Sequence, residues 1–378
     1  MKKIFFYPSI TLFVIASLYS CQKTETPVST PPREFATQYA ADKDSIENYL
    51  RTNYLITTAA NGLVDIETAK ISSATTQVSI WNNTTYPLQS ITVTNDNRIS
   101  LFVNGQSTDP VQYKLYYLVI NQGGGQNPRS IDSTFTSYKG WTLNNKIFDQ
   151  SNQPIWSTYP GLSVAETTLI SGYRQIVSKI KTAASVTVGS DGAVNYSNVG
   201  SIVVFIPSGL GYFNISRTGI NAYSCIVFRI RLHTLRERDH DNDMIRSFNE
   251  DINNDNDFFN DDTDADNVPN FIDPDDDGDN FLTRNELRNQ KRIPDPLNPG
   301  KMILKYYGYF PFAGAATDNP ATLDIDERQG IPRRFTGATY NVDIDGKNNA
   351  FNTPQQSDFT DPARLRRHLD KTTFPPFE

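Results

Sequence analysis

The sequence predicts an α+β chain: an antiparallel β-sheet curled around one short helix, followed by an irregular aspartate-rich segment. Three observations carry this. Runs of alternating apolar residues recur between residues 113 and 235, with a single helical pattern among them. Aromatic residues make up 12% of the chain and hydrophobic residues 38%, enough to build a β-rich core rather than a disordered chain. The charge is split very unevenly. Between Asp239 and Glu286, 17 acids face two arginines, a net −15, so the other residues carry about +8 against the formal total of −7. A segment that anionic excludes nucleic acid as its partner and favours a cation. With 378 residues there is room for two or three domains and at least one sizeable core.

Met1-Lys-Lys followed by apolar residues from Ile4 to Ser20 reads as a secretory signal, too short for a stable membrane span. It ends Leu18-Tyr19-Ser20-Cys21, which resembles the lipobox of bacterial lipoproteins. The resemblance implies acylation of Cys21 and anchoring to a membrane, and Gln22-Lys23 favours the outer membrane of the cell envelope. Residues 22–41 read as a flexible tether, rich in Thr, Pro and Ser up to Arg33. Within 42–109, Ile46, Tyr49, Leu50 and Tyr54 suit an amphipathic helix over Asp42–Leu55. The alternation in Val78-Ser-Ile-Trp81 and Ile91-Thr-Val-Thr94 suggests extra strands packed on the next domain.

Residues 110–236 form the candidate catalytic domain. Tyr113–Asn121 reads as a strand, and Gln122-Gly-Gly-Gly-Gln126 as a loop that lacks the Lys-Ser/Thr of a phosphate site. Phe135–Leu143 alternates as a half-buried strand, Asn144-Asn145 supplies a turn, and the chain returns through Ile147 and Phe148 into Asp149. Aromatics around one acid suggest an apolar pocket with a single polar handle. Thr167–Lys181 is the helical pattern, Gly189–Gly192 sits in a hairpin, and Ile202–Ile206 and Ile226–Leu235 complete the strands. On composition alone, Tyr138, Phe148 and Phe228 would equally suit a plain sheet core.

The spacing Tyr138-x-Gly-x7-Phe148-Asp149-x-Ser151, with Pro207-Ser-Gly-Leu-Gly-Tyr212, resembles the FKBP-type peptidyl-prolyl cis-trans isomerases. The resemblance covers roughly residues 110–236 and implies the FKBP-like fold of a sheet curled around a short helix. It also implies that Tyr138, Phe148, Asp149, Ile155, Leu169, Ile170, Tyr173, Tyr212, Ile220 and Phe228 line a proline pocket. Tyr173 stands where the family usually has Trp, and Ile155 where it has Phe, leaving a smaller floor. The Ile170 amide and the Tyr212 hydroxyl would hold the flanking carbonyls, and Asp149 would act on the reacting one. The implied activity needs no cofactor, and the implied partners are proline-containing unfolded or exported polypeptides met by a monomer.

Three twelve-residue stretches of the acidic segment (237–288) place oxygen donors at positions 1, 3, 5, 9 and 12. In the first these include Asp239, Asp241, Asp243 and Glu250; in the next Asp262, Asp264, Asp266 and Asp273; in the last Asp275, Asp277, Asp279, Thr283 and Glu286. Asn253, Asp255 and Asp257 offer a further, overlapping version. Calcium takes six to eight hard oxygens, and this spacing wraps them around one ion, so structural Ca²⁺ is expected. The stretches resemble EF-hand loops, and their close succession resembles thrombospondin type-3 repeats. A zinc site fails on its donors, since His240 is the segment's only histidine and no cysteine joins it. Residues 289–378 read as an irregular tail with aromatics and a basic run at Arg364-Leu-Arg-Arg-His368. Cys225, in an apolar strand, reads as a buried inert thiol. His233, His240 and His368 are too scattered for a catalytic set.

The expected function is therefore a folding catalyst for X-Pro bonds on an exported lipoprotein. The alternatives are a non-catalytic chaperone or peptide-binding module, and a calcium-dependent structural or adhesion module.

Overall fold

A computed structural model gives the structure, which describes residues 31–60, 62–73, 76–103, 105, 107–163, 165–313, 330–333, 341–342, 348–349 and 359–372. The chain divides into two units, residues 1–34 and 35–378. Of the first, only residues 31–34 are described, without regular structure. The signal segment with Cys21 and most of the expected tether lie outside the described residues, as does much of the tail. Among the described residues no helix is long and apolar enough to cross a membrane.

The second unit opens with helix α1, Phe35–Thr52. It begins well before Asp42, where the apolar spacing starts, because Tyr39 is tied down by tertiary contacts: its ring meets Tyr113 at 4.8 Å, and its hydroxyl accepts the Lys114 N–H at 2.7 Å. The chain turns directly into the hairpin β1 (Asn53–Ala60) and β2 (Leu63–Lys70). Val78–Trp81 is not a strand: Ile80–Asn82 makes one 3-10 turn.

Part of the tail expected to be irregular is regular, since Arg288–Pro294 pairs with Met302–Tyr309 as an antiparallel hairpin, and six earlier strands build one antiparallel sheet. They are β3 (Gln89–Val93), β4 (Tyr113–Asn121), β5 (Ser133–Thr142), β6 (Ile147–Ser157), β9 (Gly200–Ile206) and β10 (Ile226–Arg236), with a separate hairpin β7 (Ser185–Val188) and β8 (Val194–Ser197) between. The sheet order is β3-β4-β9-β10-β5-β6. Thus β3, from the stretch before residue 110, forms an edge of this sheet.

Every residue of β9 is buried, so the sheet is covered on both faces. Helix α2, Ser171–Val177, covers one face, where Tyr173, Ile176 and Val177 pack on Ile202, Val204, Ile206, Phe228 and Ile230. Helix α1 and the β1–β2 hairpin cover the other, where Ile46, Tyr49, Leu50 and Ile66 meet Val203, Phe205, Cys225 and Val227. The period-two alternation along β9 and β10 assigns successive residues to opposite cores. Cys225 is buried as expected.

Helix α2 is shorter than the Thr167–Lys181 pattern. At its start Thr158 donates its N–H to Thr167 at 2.9 Å, drawing 167–168 into a bridge beside β6. At its end Lys181 N–H bonds the Gln122 carbonyl at 2.8 Å, anchoring the glycine loop. Long-range backbone bonds outcompete the last helical turns.

Asp65, on β2, is the polar link between the hairpin and the sheet. It pairs with Arg229 at 3.1 Å, Lys139 at 3.4 Å and Arg231 at 3.7 Å. Burial alone would raise its carboxyl, but the charges of Arg229, Lys139 and Arg231 hold it below the ordinary range.

Candidate active site and the acidic loops

A cavity of about 540 Å³ opens beside the N-terminus of α2. Eight of the ten expected pocket residues border it: Tyr138, Asp149, Ile155, Leu169, Ile170, Tyr173, Tyr212 and Phe228. Phe148 and Ile220 do not. Ile220 is 4% exposed within the core, and Phe148 packs behind the lining, its ring edge-on to Phe228 at 5.5 Å.

Phe228 is the hub of the floor. Tyr173 meets it at 5.3 Å and Tyr138 at 5.8 Å, both edge-on, the geometry that aromatic quadrupoles favour. Gly140 makes room for this cluster: a methyl there would sit 2.6 Å from the Phe148 ring and 2.8 Å from Phe228. The Tyr-x-Gly spacing thus has a packing reason, since β5 places Gly140 opposite Phe228. The smaller Tyr173 floor is held by its hydroxyl, which donates to Thr136 Oγ1 at 3.0 Å.

Asp149 is exposed at the cavity edge and accepts the Tyr138 hydroxyl at 2.7 Å. Burial, then the bond to Asp149 and its charge, push Tyr138 well above the ordinary phenol range, so it stays a donor. Burial also raises Tyr212. The Tyr212 hydroxyl and the Ile170 N–H form no hydrogen bond among the described residues, which leaves both donors available.

Sequence reasoning missed much of the rim. Asn95 and Asn97 come from a stretch that showed no chemistry, Phe35 from the expected tether, and Phe213 and Arg217 from the loop after Tyr212. These residues converge through contacts that leave no linear pattern. Asn95 Nδ2 donates to Gly209 O at 3.0 Å, and Arg174 on α2 pairs with Asp96 at 2.6 Å. Phe35 stacks on Phe213 with centroids 4.6 Å apart. Asp42 locks α1 to the Ser208 turn, accepting its N–H at 2.7 Å and its hydroxyl at 2.6 Å.

The acidic segment folds into four loops of one design. The first residue of each, Asp239, Asp251, Asp262 or Asp275, accepts the N–H five positions on at 3.2, 3.0, 3.0 and 3.0 Å. That fifth-on residue lies at positive φ in all four: Met244, Asn256, Asn267 and Asn280. Asn tolerates this region and Met does not, so the first loop is the strained one. Each loop ends in at most a single helical turn, so long flanking helices of the EF-hand kind are absent among the described residues.

Three expectations change. The second loop starts at Asp251, two residues before Asn253, because Asp251 accepts the N–H groups of Asp255 and Asn256. Asp257 consequently falls outside its acidic set and pairs with Arg98 at 2.8 Å. Thr283 is fully buried, with its oxygen accepting the Asp276 N–H at 3.1 Å. Ser247 and Asn270 accept the equivalent His240 and Thr263 amides. The ninth position therefore closes the loop instead of facing the acids.

The remaining acids converge. Asp239, Asp241 and Asp243 bring one oxygen each within 4.8 Å of one another, as do Asp262, Asp264 and Asp266, and Asp275, Asp277 and Asp279. Many of these oxygens are buried and accept no hydrogen bond, among them Asp241 Oδ2, Asp243 Oδ2, Asp277 Oδ2 and both oxygens of Glu250 and Glu286. Burial and then neighbouring aspartates push Asp277 up to about 7 and Glu286 to about 10. Asp273, 9% exposed, rises to about 6 from burial. Orphaned, mutually repelling carboxylates fit a bound hard cation, which would supply the missing partner. Asn253 and Asp255 are exposed, and they bond the amides of Asp255 and Asp257.

The tail packs on this segment. Arg367 and His368 are buried, and Phe310 joins Ile245 and Leu287 in a small core. The histidines form no set: His233 bonds Ser137 at 3.0 Å, His240 bonds Ser247 at 2.7 Å, and His368 lies apart.

Residues 240–324 match the family model described as BamM C-terminal. No curated protein matches the chain. Among solved structures, FkpA from Escherichia coli is 26% identical, with 32% of this chain and 48% of that chain covered and a TM-score of 0.25. A peptidyl-prolyl cis-trans isomerase from Pseudomonas syringae pv. tomato is 15% identical over 55% of this chain and 98% of that one, with a TM-score of 0.28. The N-terminal domain of FKBP42 from Arabidopsis thaliana is 16% identical over 32% and 87%, with a TM-score of 0.25. The chain spans about half the length of FkpA. Superpositions this partial leave the chemistry to be read from the cavity itself.

Proposed function

We propose that the chain is a peptidyl-prolyl cis-trans isomerase of FKBP type, acting on X-Pro bonds of exported polypeptides and stiffened by calcium bound in its acidic loops. The observation that carries the reading is the cavity floored by Phe228, Tyr173 and Tyr138, with Asp149, the Tyr212 hydroxyl and the Ile170 N–H at its edge.

An X-Pro amide turns over a barrier of about 20 kcal/mol, with half-times of tens of seconds or more. No bond to the backbone breaks, so no nucleophile or cofactor is needed. The twisted amide has lost resonance, and its carbonyl is less polar than the planar form. A water-poor aromatic cavity favours the twisted form by disfavouring the polar planar one. Phe228 and Tyr173 would hold the proline ring. Tyr212 and Ile170 would donate to flanking carbonyls, while Asp149, oriented by Tyr138, would face the reacting one.

In the loops, Asp239, Asp241, Asp243 and Glu250, then Asp262, Asp264, Asp266 and Asp273, then Asp275, Asp277, Asp279 and Glu286 would hold Ca²⁺. Cys21 would anchor the chain to the envelope membrane.

A peptide-binding role without catalysis is the second reading. It is favoured by the β7–β8 hairpin, where Val186, Val188 and Val194 are exposed and could meet unfolded clients.

The test is the exchange rate of a Leu-Pro peptide, followed by NMR, with full-length protein in detergent and calcium. Acceleration that falls several-fold in Tyr212→Phe, the loss of about one hydrogen bond, supports the isomerase. Exchange at the uncatalysed rate, with the peptide bound, moves the reading to the binding module.

A further inference from the structure

The four loops share a plan, and Asp276 departs from it. It holds the second position of its loop, where the other loops have His240, Ile252 and Thr263. Its carboxylate does not group with Asp275, Asp277 and Asp279. It groups with Asp243 and Glu250 of the first loop, one oxygen from each lying within 4.8 Å of the others. All three residues are deeply buried, Asp243 and Asp276 at 1% exposure and Glu250 at 4%.

Asp243 Oδ2, both oxygens of Glu250 and both oxygens of Asp276 accept no hydrogen bond among the described residues. Three unpartnered carboxylates buried together repel one another and have lost their water, an arrangement that folding tolerates when a bound cation compensates the charge or the carboxyls hold protons. The donor set is all carboxylate. The nearby His240 directs Nδ1 to Ser247 at 2.7 Å. Hard oxygen donors without imidazole or thiolate select a calcium-like cation over zinc or copper.

We propose that Asp243, Glu250 and Asp276 hold one divalent cation between the first and last loops, so that Asp276 completes the first loop's site from across the segment. This rests on reading the loops as calcium loops and adds a cross-loop ligand that neither loop's own spacing contains. The cation then acts as a staple. It fixes how the last loop packs on the first, and it couples occupancy of the first site to folding of the last loop.

The experiment is calorimetric titration of Ca²⁺ into the full-length chain in detergent after stripping with EGTA, for wild type, Asp276→Asn and Asp266→Asn. The expected result is that Asp276→Asn weakens one class of site by about tenfold or more and leaves the others, while Asp266→Asn weakens a different class. Melting curves add a sign test. Asp276→Asn relieves repulsion, so it melts above wild type in EGTA and below it in calcium. Wild type that takes up no calcium overturns the calcium loops and the staple together. Wild type that binds, with Asp276→Asn matching it in affinity and number of sites, overturns the staple alone. Melting below wild type in both conditions assigns Asp276 to packing and also overturns the staple.

Discussion

Arg98 and Asp257 form a 2.8 Å ion pair that ties the acidic segment to the rim of the cavity. Arg98 directly follows Asn97, which borders the cavity, and its guanidinium also lies 3.9 Å over the Phe259 ring. The same short stretch is held to α2 by the Asp96–Arg174 pair. Anything that loosens the acidic segment therefore pulls on the part of the cavity rim that Asn95 and Asn97 form.

Asp257→Ala should lower stability by about 1 kcal/mol, the scale of a half-exposed pair, and slow X-Pro exchange without changing calcium affinity. Thermal unfolding, exchange rates and calcium titration of the same protein check this. A loss of calcium affinity would return Asp257 to the cation ligands.

Tyr138→Phe removes the hydroxyl that donates to Asp149 at 2.7 Å while keeping the ring edge-on to Phe228. Exchange should slow several-fold, about 1 kcal/mol in barrier, with stability nearly unchanged. The NMR exchange rate with a urea midpoint beside it separates the two effects.

Gly140→Ala places a methyl against the rings of Phe148 and Phe228. Overpacking of this kind costs about 1–3 kcal/mol, and it should distort the aromatic floor enough to abolish catalysis. Urea unfolding gives the first quantity and peptide exchange the second.

Asp65→Asn leaves Arg229, 2% exposed, beside Arg231 without their shared carboxylate. Asp65 is itself 38% exposed, so water screens the pair and its loss costs about 1–2 kcal/mol, and the β1–β2 hairpin should detach before the sheet melts. Hydrogen exchange of the Leu63–Lys70 amides reports the detachment directly.

His233 is buried beside Arg229 and Arg231, and burial first, then those charges, lower it from 6.5 to about 4. The unfolded chain then binds more protons than the folded one between those values. The contribution of His233 to stability should hold above pH 6.5 and be lost as the pH drops towards 4. Melting temperatures of wild type and His233→Gln across this range check it, the variant losing less on acidification.

Much of the fold was legible in one dimension because the signals were local. The apolar run Tyr113–Asn121 gave β4 to the residue, and Asn145 took the positive φ that the Asn-Asn turn suggested. The repeated aspartates announced the loops. Other features were not local. Helix α1 starts at Phe35 because Tyr39 docks on Tyr113, and α2 stops at Val177 because Gln122 captures Lys181; neither partner is near in sequence.

By itself, the sequence determined the strands and the run of acid-rich loops, since these depend on period and residue type, while the aromatic floor around Phe228 came only from the family resemblance. Tertiary structure alone decided that Asn95, Asn97 and Phe35 form the rim, that Asp257 pairs with Arg98, and that Asp276 joins Asp243 and Glu250. Each of these is a contact between distant segments, brought together by a core that buries both faces of one sheet and so fixes which loops meet at its ends.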